Sequence, residues 1–200
     1  MIAIVDTGGA NLKSVVNALE RLGASHCLTS NPVQIAGADQ VILPGVGAAR
    51  EAMRRLDAAQ LIPVLRNLKQ PVLGICLGMQ LLFESSEEGD VACLGLIPGR
   101  VVRLKDDPLA RVPHMGWNHL QRRDSAEPLL AAIQDDDCFY FVHSFRAPDG
   151  PWVKAVTEHG ELLPAVVSYG NVKGVQFHPE KSQGPGARLL SNFVRSTVLC

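Results

Sequence analysis

The sequence predicts an α/β fold: an open, mixed but mainly parallel central sheet flanked by helices. Two observations carry that reading. The first apolar runs, Ile2–Asp6, Gln40–Leu43 and Pro71–Cys76, lack polar alternation, as strands covered on both faces do. Each leads toward a stretch of helical periodicity, and a strand–helix–strand rhythm builds a parallel sheet with helices on both sides. At 200 residues, with no repeat, linker or low-complexity segment, positions 1–200 are expected to form one domain.

Taken in order, Ile2–Asp6 is the first strand. Asn11 to Leu22 follows as a helix, with Leu12, Val15, Val16, Leu19 and Leu22 on one face and Gly23 as its stop. Gln40–Leu43 is a second buried strand, ended by Pro44-Gly45-Val46-Gly47 and followed by a helix from about Ala48 to Asp57. Pro71–Cys76 is a third strand, with a short helix, Leu77–Phe83, behind it. Beyond Gly89 the helical signal fades. Val101–Leu104, Trp117–Leu120, Phe139–Val142, Trp152–Val156, Pro164–Ser168 and Val172–Phe177 are expected as hairpins and added strands on the same sheet. A last helix, Gly186 to Val198, would pack Leu189, Leu190, Phe193 and Val194 back onto it.

Composition excludes several classes. Nineteen basic residues against twenty acidic ones leave no positive footprint for nucleic acid. The most apolar stretch, Pro71 to Phe83, is too short to span a bilayer and is broken by Gly74, Gly78 and Gln80. The first residues lack the cationic flank of a secretory signal. Five scattered cysteines, none in a CxxC pair, read as reduced thiols of a cytoplasmic protein rather than a disulfide or zinc framework. His26, His114, His119 and His159 lack metal-ligand spacing, so no metal is expected. Gly8-Gly9 is not a dinucleotide fingerprint and no phosphate-binding loop sequence occurs, so no nucleotide cofactor is expected.

The sharpest chemical signal is Gly74-Ile75-Cys76-Leu77-Gly78 at a strand-to-helix junction. A glycine two positions either side of a nucleophile allows a tight, strained elbow that lifts the thiol out of the sheet. It also sets the sulfur at a helix N-terminus, where thiolate is favoured, and leaves the Leu77 N–H to donate to an oxyanion. The elbow alone is equally compatible with a small core cysteine. A partner base lies in Val175-Gln176-Phe177-His178-Pro179-Glu180. Pro179 keeps His178 out of helix at the end of a strand. In extended chain the side chains of His178 and Glu180 point the same way, so the carboxylate could fix the imidazole tautomer. As an isolated segment, His-Pro-Glu is more often a turn with a solvated acid. Pro44-Gly45-Val46-Gly47 also ends a predicted parallel strand, and such edges are where open α/β sheets hold their sites. A glycine-rich loop there can turn a second backbone N–H toward an oxyanion.

Gly74-Ile75-Cys76-Leu77-Gly78-Met79-Gln80 together with Gly174-Val175-Gln176-Phe177-His178-Pro179-Glu180 resembles the paired signature of class I (triad-type) glutamine amidotransferases, and Pro44-Gly45-Val46-Gly47 their oxyanion-strand loop. Asp6-Thr7-Gly8-Gly9-Ala10-Asn11-Leu12, Pro113-His114-Met115-Gly116-Trp117-Asn118 and Tyr140-Phe141-Val142-His143-Ser144-Phe145 are similar to the glutaminase subunits of imidazole glycerol phosphate synthases. The resemblance spans essentially the whole chain and implies a flavodoxin-like core. It implies Cys76 as nucleophile, His178 and Glu180 as its activating pair, and Val46 and Leu77 at the oxyanion hole. Gln80, Ser144, Phe145 and the backbone around Gly47 would contact glutamine. No cofactor is implied. The ammonia would pass, in a heterodimer, to a (β/α)8-barrel cyclase subunit that forms imidazole glycerol phosphate and an aminoimidazole carboxamide ribotide for histidine and purine synthesis. Pro113, Met115, Trp117 and Asn118 would lie at or near that docking surface. Thr7 and Ala10 depart from the Asp-Tyr-Gly and Gly-Asn of many members, on the interface side of the fold. His143 is given a supporting role at best, and Trp152 is expected in the core. Rival readings are an amidotransferase subunit of another pathway, such as anthranilate or carbamoyl phosphate synthesis, a free-standing cysteine hydrolase, and a regulatory subunit that has kept the fold.

Overall fold

A computed structural model describes residues 1–6, 8, 12–108 and 110–196. Its elements in chain order are β1 (Ile2–Val5), α1 (Leu12–Arg21), β2 (His26–Thr29), α2 (Pro32–Ala36), β3 (Gln40–Gly45), α3 (Ala49–Ala58), α4 (Ile62–Asn67), β4 (Val72–Cys76) and α5 (Leu77–Leu81). There follow β5 (Phe83–Ser86), β6 (Val91–Ala92), β7 (Ile97–Arg103), β8 (His114–His119), β9 (Gln121–Arg122), β10 (Cys138–His143), β11 (Phe145–Arg146), β12 (Val153–His159), β13 (Glu161–Tyr169), β14 (Val172–Val175) and α6 (Gln183–Arg195). Short 3₁₀ turns span Pro128–Leu130 and Pro179–Lys181. Asn11 and Val198, expected helix ends, lie outside the described residues, as do Thr7, Gly9 and Ala10.

The main sheet runs β2-β1-β3-β4-β14-β13-β12-β9. Pairing is parallel from β2 through β14 and antiparallel from β14 onward. Apolar side chains leave its strands on both faces. Ala3, Val5, Val41 and Leu43 enter one buried cluster with Met53, Leu56 and Leu81, while Ile2, Ile4, Ile42, Leu73 and Ile75 enter a second with Leu19, Leu189 and Phe193. That two-sided burial is why these strands read as unbroken apolar runs. Each fully buried aliphatic or aromatic side chain contributes roughly 1.5–3 kcal/mol through transfer from water.

The expectation that every later strand joins this sheet is corrected. Only β9, β12, β13 and β14 do. β8 and β10 form a two-stranded ribbon, and β11-β7-β5-β6 a separate four-stranded sheet. Burial explains the partition. β8 and β10 alternate along their length, so one face of each is covered, whereas β13 carries a run of buried residues from Leu163 to Val167. Strands covered on one face lie over the fold's flank, and strands covered on two lie within its sheet. The short elements β2, α2 and α4 were not anticipated. The helix expected to reach Phe83 stops at Leu81, and Phe83 opens β5. β3 continues through Pro44 and Gly45, which pair with Ile75 and Cys76. The last helix starts at Gln183, before Gly186, and Pro185 sits in its first turn, where its missing N–H costs nothing. Trp152 is half-buried against the first cluster, edge-on to Phe83 at 6.2 Å. Among the described residues no helix is long and apolar enough to cross a membrane.

Candidate active site

β3, β4 and β14 are adjacent and parallel, so their carboxyl ends reach one edge together. Gly45 lies opposite Cys76 across the β3–β4 pair, and Ile75 opposite Val175 across β4–β14. Three segments far apart in sequence therefore open onto one place: Val46 and Gly47 after β3, Cys76 at the end of β4, and His178 beyond β14. All four line one cavity of about 330 Å³, with Leu77, Gln80, Glu88, Pro113, Val142, His143, Ser144 and Phe145.

Cys76 has φ 53° and ψ −110°, a conformation an L-residue adopts only when its surroundings impose it. Close packing at Gly78 is what imposes it here: a Cβ there would stand 1.8 Å from the Leu43 carbonyl oxygen. At Gly74 a Cβ would stand 2.7 Å from the Gly78 backbone. The elbow thus presses flat against β3. Leu77 is the first helical residue of α5, so its N–H has no intrahelical acceptor. α5 has five residues, so its influence on the sulfur comes from those first N–H groups rather than from a long dipole.

Cys76 Sγ lies 3.8 Å from the Val142 carbonyl oxygen and receives the Gln176 Nε2 amide at 3.9 Å. The His178 imidazole lines the same cavity, near enough to the sulfur for the two to interact electrostatically. His178 Nδ1–H donates to Glu180 Oε1 at 2.8 Å, and both side chains are buried. The expected pairing forms, but by a different local route. Pro179–Lys181 is a 3₁₀ turn capped by His178, so the carboxylate reaches the ring by folding back rather than along an extended chain. A clasp holds this turn to β10: His178 N–H donates to Tyr140 O at 2.9 Å, Tyr140 N–H to Ser182 Oγ at 3.0 Å, and Ser182 Oγ–H to His178 O at 2.6 Å. Phe177 stacks beneath, its ring 4.3 Å from Phe139 and 5.4 Å from Phe141.

Burial opposes charge on His178, but the Cys76 sulfur and the Glu180 carboxylate together outweigh it and raise the imidazole to about 10. An imidazolium held between a sulfur and a carboxylate is the resting state of an activated cysteine pair. Cys93 supplies the contrast. It is as buried as Cys76 but lies away from His178 and Glu180, and burial with the nearby Glu88 charge pushes its thiol up to about 11.

The remaining anticipated residues fall as follows. Gln80 lines the cavity, but its Nε2 donates to Phe145 O and to Gln176 Oε1, both at 2.9 Å, so any further contact falls to its carbonyl oxygen. Ser144 and Phe145 line the same wall. Pro113 lies in the cavity lining, while Met115 and Trp117 are exposed on β8, 63% and 51% accessible, and Asn118 is turned inward beside them. Sequence reasoning assigned no role to Gln176, Glu88 or Val142, and it understated His143. Gln176 sits inside the quoted motif, whereas Glu88 belongs to a turn whose acidic pair gave no pattern. Glu88 Oε2 accepts the Ala49 N–H at 2.8 Å and so caps the start of α3 at the cavity mouth.

With this geometry established, similarity to known proteins becomes informative. Residues 3–197 match the glutamine amidotransferase class-I family. The chain is 53% identical over 193 residues to the imidazole glycerol phosphate synthase subunit HisH of Xylella fastidiosa strain Temecula1, covering 96% of both chains. It is 54% identical over 194 residues to the protein of the same name from Xanthomonas axonopodis pv. citri strain 306, again covering 96% of both. A solved glutamine amidotransferase structure superposes with a TM-score of 0.73 at 19% identity, covering 96% of each chain, which speaks for the fold alone. The elbow, the clasped histidine and this near full-length similarity agree: the chain belongs to the class I glutamine amidotransferases.

Proposed function

We propose that residues 1–200 are a single glutaminase domain, the ammonia-producing subunit of a cytoplasmic imidazole glycerol phosphate synthase. The observation that carries this reading is the elbow cysteine sharing one cavity with an imidazole whose Nδ1 is held by Glu180. The two relatives above carry the name of that synthase's subunit, which supports a partner subunit and glutamine as substrate. The exposed Met115 and Trp117 on β8 offer the apolar surface such a partner needs, here a (β/α)8-barrel cyclase in a heterodimer.

The chemistry follows from the charges. The Cys76 thiolate attacks the side-chain amide carbon of glutamine, and the carbonyl oxygen becomes an oxyanion facing the Leu77 N–H and the loop at Val46 and Gly47. The His178 imidazolium gives its proton to the departing nitrogen, the C–N bond breaks, and ammonia leaves a γ-glutamyl thioester. The now neutral imidazole takes a proton from water as its oxygen attacks the thioester. Collapse expels the thiolate, frees glutamate and restores the imidazolium. Glu180 holds the ring in one tautomer throughout. At the mouth, Glu88 offers a carboxylate to the α-ammonium of the substrate.

The test is glutamate release by the chain alone, with a cyclase subunit, and with that subunit plus its ribonucleotide. Weak turnover alone that rises sharply in the full mixture is expected. Full activity without the partner would mean a free-standing hydrolase, and none in any mixture would end the proposal.

A further inference from the structure

β8 has two faces with different contents. Met115 and Trp117 point outward, while His114 and Asn118 point inward, as the two-residue period of a strand requires. His114 lies directly across the ribbon from His143 on β10. Four polar contacts join these residues to the cavity wall: Asn118 Nδ2 to His114 Nε2 at 3.2 Å, His114 Nδ1 to His143 Nε2 at 2.9 Å, His143 Nδ1 to Phe145 O at 2.9 Å, and Gln80 Nε2 to that same oxygen at 2.9 Å.

The direction of every proton in this chain follows from chemistry. A carbonyl only accepts, so His143 Nδ1 carries the proton and Nε2 of the neutral ring must accept. His114 Nδ1 is then the donor, and His114 Nε2 accepts from Asn118. The Asn118 amide is fixed in that orientation because its Oδ1 accepts the His119 N–H at 2.9 Å and its Nδ2 also donates to Glu158 O at 2.8 Å. The donors therefore all run one way, from the strand that bears Trp117 to the Phe145 carbonyl. From there Gln80 passes to Gln176, and Gln176 to the Cys76 sulfur. No side chain along this path is interchangeable with an apolar one, since His114, His143, Asn118 and Gln176 each give and receive and Gln80 gives twice.

We propose that His114 and His143 are positioning residues that couple the outer face of β8 to the nucleophile. They fix the Phe145 carbonyl, the carbonyl fixes Gln80, and Gln80 fixes the Gln176 amide at the sulfur. A partner seated on Met115 and Trp117 shifts β8 and is felt at Cys76 through this chain. β8 pairs in strand register with β10 alone among the described strands, and it is anchored to β12 of the main sheet only at its far end, where Asn118 Nδ2 donates to Glu158 O and Thr157 Oγ1 to His119 O. This rests on the reading of the chain as a glutaminase stimulated by a partner.

The deciding variants are His114→Phe and His114→Asn. Phenylalanine keeps a ring between Phe141 and His159, which stack on His114 at 4.7 and 4.2 Å, but donates nothing. Asparagine places an amide N–H near the Nδ1 position and keeps the donor to His143. The quantities measured are partner-stimulated and basal kcat, the glutamine KM and the dissociation constant for the cyclase subunit. In H114F the ratio of stimulated to basal kcat should fall about tenfold, with partner affinity within about twofold of wild type, as loss of one link in a buried network implies. H114N should restore at least half the ratio. Equal stimulation in H114F and wild type overturns the coupling, as does an equal loss in H114N, which would assign the effect to ring stacking. Should H114F fail to fold, Asn118→Leu removes the first donor at a half-buried position, and an undiminished ratio there overturns the proposal equally. Wild-type chain that shows no stimulation overturns both this inference and the functional reading beneath it, whereas stimulated wild type with unaffected variants overturns the inference alone.

Discussion

Replacing Gly78 with alanine adds one methyl group where the elbow meets β3. That Cβ would stand 1.8 Å from the Leu43 carbonyl oxygen and 2.8 Å from the Leu43 carbonyl carbon, both backbone atoms that cannot rotate away. Ordinary carbon–oxygen contact needs roughly 3.3 Å, so α5 and β3 must separate by more than an ångström. Overpacking of this kind costs about 1–3 kcal/mol. For a chain of this length that lowers Tm by about 2–12 °C, at roughly 2–4 °C per kcal/mol. The same displacement carries Cys76 away from His178, and a misplacement near 1 Å costs about 100-fold in rate. Glutamate release and a thermal melt on the same preparation read both effects. Gly184→Ala is the control: no atom lies within 4 Å of its Cβ and the position is in the first turn of α6, so stability should hold or rise by up to about 1 kcal/mol. A Gly78→Ala protein with wild-type melting and turnover would refute the claim that close approach of the elbow to β3 shapes the site.

Four further outcomes are expected. Cys76→Ala should abolish glutamate release while leaving the melt largely unchanged; turnover above background would remove Cys76 as nucleophile. Glu180→Gln should lower kcat about 10- to 100-fold, the scale of one charge-assisted hydrogen bond, and less than His178→Asn, which removes proton transfer; equal losses in the two variants would deny them separate roles. Glu88→Gln should raise the KM for glutamine with kcat little changed, as loss of a contact shared by ground and transition states does; an unchanged KM would exclude Glu88 from substrate binding. Stability should peak near neutral pH. Burial and neighbouring histidines lower His114 to about 3, and burial lowers His143 to about 4, so below pH 6.5 the unfolded chain binds protons the native one refuses. Native stability is then lost as pH falls, with a slope approaching about 2.7 kcal/mol per unit for two protons. His178, raised to about 10, has the opposite sign: its contribution is complete below pH 6.5 and is lost as pH rises toward 10. Denaturant titrations from pH 4.5 to 9 test this, and the acid slope should roughly halve in the His114→Phe variant; a flat profile below neutrality would mean those imidazoles are not buried neutral.

The parts of the site that sequence exposes are those encoded by short-range geometry. Gly74 and Gly78 flank Cys76 because the elbow admits no Cβ, and a five-residue pattern carries that requirement. His178 and Glu180 are two apart, so their contact was legible even though the turn that makes it was not foreseen. Residues brought together by sheet register are different. His114 and His143 are 29 positions apart and each is an isolated histidine; only the pairing of β8 with β10 sets them face to face. Gln176 stood inside a recognised motif, yet its contact with Cys76 crosses from β14's end to β4's end and has no local signature. In the fold, the strands buried on two faces were readable as unbroken apolar runs. The alternation in β7, β8 and β10 was present in the same residues and marks strands that leave the main sheet.

Of the four imidazoles that meet in this region, three are buried, and what separates the roles of those three is the company each keeps rather than how deeply each is buried. His143, His114 and His178 are all nearly inaccessible to solvent. His178 alone faces an acidic group on each side, the sulfur and the carboxylate, and holds its proton. His143 faces a carbonyl at Nδ1 and another imidazole at Nε2, and the charge on His178 itself helps keep it neutral. A cation on one wall of the cavity thus discourages a second on the other. The wall that stays neutral is the one whose donors must all point one way for the Phe145 carbonyl to be held. Protonating His143 would set its new Nε2–H against the Nδ1–H of His114, break the chain at its centre, and place positive charge beside the imidazolium that the leaving ammonia needs as its acid. In the proposed mechanism, proton delivery by His178 and positioning by His143 are therefore compatible only while a single ring in the group is charged, and Glu180 decides which ring that is.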